Sequence, residues 1–569
     1  MESLVVSSQA TGVHNGLLLH SESKLKKSHA AGFPRSGPLL HGRSWNQSTR
    51  IKSIEVRSIL TREPAKQAGE SCQHEELKPA WLNDKYAGLA TWNSIRRESW
   101  EGELPVIQGQ IPLWLKGTYL RNGPGRFEMG EHRFGHLFDG YSCLLRLYFE
   151  NGKLHVKHAQ LQSDAYKSAR KNQQACFREF SVVPKHENVW SLLEDVVGMA
   201  MGTTLTDNAN TGVICLGDGR VVCITETVKS STQIDPWTLD TIGRFTYDDN
   251  HKGLLHSGHP YVTDKEFITA LPDLIKPGYD IVRMEPGTNT RKHLGRVNCK
   301  GPAPGWIHSF ALTENYIVIP EMALRYSTKN LLKAEPCPYY KFEYMPEHGS
   351  YLHVMDRKSG KVVNVVEVPN FLMFHFINAY EETGEDGKPR IVADCCEHLS
   401  NPIILRRMEL AELRSKGKEM PYARLGRFKI PISGGGKGTL ENAVPPQVHG
   451  HGLDMNTMNP HYYSRDYRYV YANGAHRPCH FPNSLVKIDI KGQSAKEWYE
   501  HGSIPTEPMF VPRPGATEED DGVAISIVND DKGDGYVLLL DGKSFEEVAR
   551  APLPYGLPYG IHGAWLDQR

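Results

Sequence analysis

The chain has 569 residues, with 66 basic and 66 acidic side chains and therefore no net charge at neutral pH. That length lies well past the size at which one compact core stops growing, so it calls for several domains or one architecture built by repetition. Without a surplus of Lys and Arg to neutralise phosphates, nucleic acid is excluded as a partner.

With 52 glycines, 36 prolines and 25 tyrosines, the composition favours many short strands joined by turns, so an all-β chain is expected. Ten cysteines, none in a Cys-x-x-Cys pair, are too sparse for a disulfide framework and fit a reducing compartment. No apolar run approaches the ~20 residues that span a bilayer, so any membrane contact is expected at its surface.

Residues 1–56 are rich in serine and in bases such as Lys24, Lys26, Lys27, Arg35 and Arg43, against only Glu2, Glu22 and Glu55. This reads as an organelle transit peptide, with a plain disordered tail as the alternative. Residues 57–80 read as a polar linker, and a folded domain is expected over 81–569, announced by Trp81, Tyr86, Trp92 and Trp100. Turn chemistry follows at Asn122-Gly123-Pro124 and Asp139-Gly140.

A local pattern then recurs: an apolar strand ending in Asp, a short turn and a second strand, at Asp235, Asp356, Asp489 and Asp541. The carboxylate can close such a turn by accepting nearby backbone N–H groups. The spacings of 121, 133 and 52 residues suit two, two and one blades of a β-propeller, which protects the edges of a long all-β chain better than a sandwich. One stretch breaks the β pattern: Trp190 to Met201 is apolar at a near-helical period and reads as a core helix, with a membrane-surface segment as the alternative.

Of 26 histidines, context selects four. His259 in Ser-Gly-His-Pro, His308 in Gly-Trp-Ile-His, His375 after Phe371-Leu372-Met373-Phe374, and His562 in Gly-Ile-His-Gly all sit in apolar or turn sequence. His259 and His308 are 49 residues apart and His308 and His375 are 67, about one blade each, which would bring imidazoles together on a propeller axis. Neutral imidazoles suit iron, copper, nickel and zinc. A ligating imidazole usually passes its other N–H to a carboxylate, and Glu226, Asp454 and Glu507, set in apolar sequence, are candidates for that task. His449-Gly450-His451 reads as a loop and Cys395-Cys396-Glu397-His398 as structural, since adjacent cysteines do not easily ligate one ion. The glycines flanking His562 are expected to let the backbone turn tightly.

Taken in order, these motifs resemble the carotenoid cleavage dioxygenases. The segments that carry the resemblance are Leu120-Arg121-Asn122-Gly123-Pro124, Phe138-Asp139-Gly140, Thr225-Glu226-Thr227, Gly258-His259-Pro260, His375 to Glu381, Glu507-Pro508 and Gly560-Ile561-His562-Gly563. The resemblance implies a seven-bladed β-propeller, with a few helices and loops capping one face over an axial site. It implies Fe(2+) held by His259, His308, His375 and His562, with Glu226 and Glu507 bonding to ligand histidines. The family's third such carboxylate is normally Glu; Asp454 stands there, one methylene shorter, with a longer or water-bridged contact expected.

Leu453-Asp454-Met455, the Asn473 to Cys479 stretch and Lys341-Phe342-Glu343-Tyr344 are similar to the plastid branch that makes carlactone, the strigolactone precursor, from a 9-cis-apo-10′-carotenal. The resemblance thus implies a chloroplast enzyme acting with O2 on an apolar apocarotenoid, with no obligate protein partner. Rival readings are isomerohydrolase chemistry on the same scaffold, another carotenoid cleavage, and a propeller that binds proteins without catalysis.

Overall fold

The structure, a computed structural model, describes residues 90–567 apart from 183–188, 201–203, 252, 332–338, 400–401 and 416–417. The sequence segments read as transit peptide and linker, with Trp81 and Tyr86, lie outside the described residues.

Seven antiparallel sheets of four or more strands follow one another as the blades of a propeller. Blade 1 joins Ser99–Leu104, Lys153–Gln160, Tyr141–Glu150 and Gly117–Arg121 to the C-terminal strand Gly563–Asp567. Blades 2 to 7 then take the chain in order, over 212–244, 261–298, 311–368, 373–442, 453–499 and 504–552. The residues account for this layering. Inner strands such as Val221–Ile224 and Gly522–Asn529 are buried at every position, because blades pack face to face and leave no polar side. The outermost strand of blade 2, Thr241–Arg244, has no buried position.

The aspartate turns behave as their sequence predicts. Asp235 accepts from the N–H groups of Trp237 and Thr238 at 2.8 Å, Asp356 from Ser359 at 2.7 Å, Asp489 from Gly492 at 2.7 Å and Asp541 from Ser544 at 2.7 Å. They fall in blades 2, 4, 6 and 7, matching the two, two and one blade spacing. Between blades 6 and 7, Tyr471 stacks on Phe510 at 4.6 Å and donates its hydroxyl to Gly542 O at 2.9 Å, a junction that combines aromatic packing with a satisfied polar tip.

The ring is closed twice. Gly563–Asp567 pairs with Gly117–Arg121, Leu120 facing Ala564, and Gln108–Gly109 pairs with Arg550 and Ala549 of blade 7. The C-terminus is therefore an edge strand of the first blade, and it cannot fray without opening the ring.

The apolar segment after residue 188 is a helix, Val189–Ala200, but its described side chains do not make it a core helix. Trp190, Leu193 and Val197 are 74%, 50% and 49% exposed. The helix is anchored instead by Asp195, which accepts from Arg178 Nε at 2.8 Å and pairs with Arg178 Nη2, both side chains being buried. With this buried ion pair on one face, Trp190, Leu193 and Val197 face outward. No described helix is long and apolar enough to cross a membrane.

Candidate metal centre

Each blade contributes one residue to an axial cluster. His259 precedes Tyr261–Val262 of blade 3, His308 precedes Ala311–Leu312 of blade 4, His375 lies in Met373–Thr383 of blade 5 and His562 precedes Gly563–Asp567 of blade 1. All four positions are at the start of the edge strand of their blade, where the chain enters from the centre of the ring. The other three blades supply carboxylates: Glu226 follows Val221–Ile224 of blade 2, Asp454 lies in Leu453–Thr457 of blade 6, and Glu507 lies between Ile504–Pro505 and Met509–Pro512 of blade 7.

Among the described residues these histidines form the one cluster suited to a metal ion, with a ligating atom of each within 4.8 Å of the others. His259 Nε2 is 3.0 Å and His375 Nε2 is 3.1 Å from His562 Nε2. The opposite ring nitrogens point outward. His308 Nδ1 meets Glu226 Oε1 at 2.6 Å, His375 Nδ1 meets Asp454 Oδ1 at 2.5 Å, and His562 Nδ1 meets Glu507 Oε1 at 2.8 Å. A carboxylate accepts, so each of these rings carries its proton on Nδ1 and turns an Nε2 lone pair inward. Converging lone pairs repel one another unless they share a cation, and separations near 3 Å suit neighbouring positions on one ion with bonds of ~2.1 Å to imidazole. The donor set fits a divalent transition metal.

Electrostatics keep the rings of His259, His375 and His562 neutral. Burial, and then repulsion from the other three imidazoles, holds His259 well below the usual histidine range. Burial pulls His375 to about 4 against the attraction of Asp454, and His562 to about 3. Burial raises the carboxyl of Glu507 to about 8, with His375, Arg121 and the Gly563 N–H opposing it, and a divalent cation on the cluster would lower it to the carboxylate that accepts from His562 Nδ1. Burial also raises Asp454, but His375 and then His398 outweigh it and hold this carboxylate below its ordinary range. His259 has no carboxylate partner among the described residues; its backbone N–H donates to His308 O at 2.9 Å, which fixes these two loops to each other.

Two expectations change. The Asp454 contact is neither long nor water-bridged, because Met455 adopts a left-handed φ of 52° and donates its N–H to Asp454 Oδ1 at 2.9 Å, bringing the short side chain up to the ring. The glycines beside His562 are not needed for turning, as neither has a positive φ; they are needed for space. A Cβ on Gly560 would lie 2.2 Å from the Arg121 guanidinium, and one on Gly563 would lie 2.3 Å from Leu120 O. Gly258 is similar, since its Cβ would fall 2.8 Å from His308 Nδ1.

Sequence reasoning passed over two participants. Trp306 donates its indole N–H to Glu226 Oε2 at 2.8 Å, a bond that a fully buried tryptophan requires and that its place two residues before His308 could have suggested. His398 donates from Nε2 to Asp454 Oδ2 at 2.9 Å. Its neighbours Cys395 and Cys396 are buried free thiols on the strand Pro389–Glu397, away from any ligand role. His449 is buried and bonds Gly452 O at 3.1 Å, at the end of the short helix Pro446–His449.

The model of the retinal pigment epithelial membrane protein family matches residues 92–567. Carotenoid cleavage dioxygenase 8 homolog B, chloroplastic, of Oryza sativa subsp. japonica is 57% identical over 485 residues, covering 84% of this chain and 85% of the relative. Carotenoid cleavage dioxygenase 8, chloroplastic, of Arabidopsis thaliana is 56% identical over 490 residues, covering 84% and 85%. The crystal structure of cobalt-substituted Synechocystis ACO superposes with a TM-score of 0.71 at 21% identity, over 85% of this chain and 99% of that one. The chain belongs to the carotenoid cleavage dioxygenase family and is an oxygenase built on a seven-bladed β-propeller.

Proposed function

We propose that the chain is an Fe(2+) dioxygenase that cleaves and rearranges an apocarotenoid of the 9-cis-apo-10′-carotenal type to carlactone, in strigolactone biosynthesis within the plastid. The observation that carries the metal assignment is the set of three Nδ1–carboxylate bonds, at 2.5 to 2.8 Å, that turn imidazole lone pairs onto one axial point. His259, His308, His375 and His562 would hold the ion, and Glu226, Asp454 and Glu507 would orient three of the rings. Iron bound there would supply the redox chemistry for cleavage of a polyene double bond by O2.

The chain's own contribution is orientation and exclusion of water. Phe374, 4% exposed, lies 5.8 Å from His308 and 5.1 Å from Trp306, which gives the cluster an apolar wall. The choice of double bond then depends on how the substrate is positioned. The substrate and pathway rest on the sequence resemblance; the relatives, carotenoid cleavage dioxygenases described as chloroplastic, support the class of reaction and, with residues 1–56 read as a transit peptide, the plastid. The outward stripe of Trp190, Leu193 and Val197 suits contact with a membrane surface, where an apolar substrate partitions.

The test is anaerobic incubation of the iron-loaded protein with candidate apocarotenals, admission of 18O2 and product analysis. Labelled carlactone is the expected result. An unlabelled, rearranged product would instead establish isomerohydrolase chemistry.

A further inference from the structure

Outside the histidine and carboxylate set, a line of aromatic rings leads away from the centre and ends at charge. It starts at His308 and passes to Phe374 at 5.8 Å, to Phe138 at 6.5 Å and to Phe180 at 5.3 Å. At Phe180 it meets Lys341, whose Nζ is 5.8 Å from the ring centroid. Phe138 and Phe180 are only partly buried, although the rings around them are core.

The position of Lys341 is fixed by its neighbours. Tyr340 and Phe342, 5% and 2% exposed, both pack on Phe180, and the Lys341 carbonyl accepts from Ser327 N–H at 2.9 Å. Asp139 and Glu179 are the carboxylates that act most strongly on its charge, yet both are engaged elsewhere. Asp139 accepts from the backbone N–H of Ser181 at 2.8 Å and from the Ser181 hydroxyl, and Glu179 accepts from the Thr206 hydroxyl at 2.8 Å. Among the described residues the Lys341 ammonium forms no hydrogen bond and no ion pair within contact distance.

A partly exposed ammonium with no acceptor among the described residues, set at the end of an apolar wall, has N–H groups to offer a ligand, and a pure hydrocarbon has nothing with which to accept them. Aromatic rings suit a flat conjugated chain, and a charged donor suits one that ends in a carbonyl. We propose that Lys341 binds the terminal carbonyl oxygen of the substrate and thereby sets which double bond lies beside the histidines. This rests on the preceding reading of the substrate as an apocarotenal, and adds to it the residue that measures the chain from its polar end. Burial draws the lysine below its ordinary range while Asp139 and Glu179 oppose that shift, consistent with a cation held ready but uncommitted.

The test uses the iron-loaded protein with Lys341→Met, which keeps the length and removes the charge, and with Lys341→Gln as a second variant; iron content reports an intact centre. Binding is measured anaerobically for an apocarotenal and for the same polyene ending in a methyl group. The wild type should prefer the aldehyde by about 10- to 100-fold, the range of one charged hydrogen bond. Both variants should lose that preference, leave binding of the methyl-ended polyene within about twofold, and spread cleavage over neighbouring double bonds. Iron-replete variants that keep the wild-type preference and a single cleavage position would overturn the proposal. A wild type that cleaves no apocarotenal would overturn the substrate reading instead, so the two failures are distinct.

Discussion

Asp454 grips His375 and His398 with different oxygens, Oδ1 at 2.5 Å and Oδ2 at 2.9 Å, so that one short carboxylate ties a ring of the axial cluster to a second buried histidine at the end of the adjacent strand. His398 follows the strand Pro389–Glu397, and its N–H is itself bonded to Leu372 O at 2.7 Å. This short carboxylate is held by three donors, counting the Met455 N–H. Asp454→Asn replaces an acceptor oxygen with an amide and should lower iron affinity about 10- to 100-fold, measured by competition with a chelator. His398→Ala should do the same less severely, because Oδ1 keeps its bond to His375.

Gly258 tests the geometry from the other side. A methyl at this position would lie 2.8 Å from His308 Nδ1 and 2.9 Å from its Cε1, and it would displace the ring from Glu226. Gly258→Ala should fold, with a melting temperature near that of the wild type, and should lose iron on dialysis.

His308→Ala should abolish both bound iron and turnover. A variant that retained both, by metal analysis and product assay, would remove His308 from the ligand set.

The C-terminus separates coordination from closure. His562→Ala removes one imidazole and leaves Gly563–Asp567 paired with Gly117–Arg121, so it should lose iron while still melting cooperatively. Truncation before Tyr559 removes the ligand and the closing strand together and should broaden or abolish the transition, as followed by circular dichroism.

A buried charge group away from the centre sets a pH dependence. Glu321 and Arg325 are fully buried and pair at 2.7 Å, and His353 Nε2 meets the second Glu321 oxygen at 2.8 Å. Burial alone would raise the Glu321 carboxyl, but His353 and the N–H groups of Lys300 and Gly301 bring it to about 2. A folded value below the ordinary 4.5 favours the ionised form in the native state, so this stabilisation is complete above pH 4.5 and is lost as pH falls toward 2. Glu321→Gln should cost about 3–5 kcal/mol near neutrality, because it strands Arg325, and the gap from wild type should narrow on acidification in urea melts.

The sequence by itself showed the repeated strand-Asp-turn unit, because a turn is closed by atoms only two or three residues apart, and that unit favoured a propeller over a sandwich. It also singled out His259, His308, His375 and His562, since histidine in apolar or turn sequence is uncommon enough to notice. Only the tertiary structure decided which carboxylate serves which ring: Glu226 is 82 positions from His308 and Asp454 is 79 from His375, and no local pattern links them. The roles of Trp306 and His398, and the left-handed Met455 that brings Asp454 within reach, depended on the same convergence. So did the outward face of the helix Val189–Ala200, whose apolar period is the same whether the core or the exterior receives it. Local bonds can be read along the chain; bonds between blades exist only once the ring has closed.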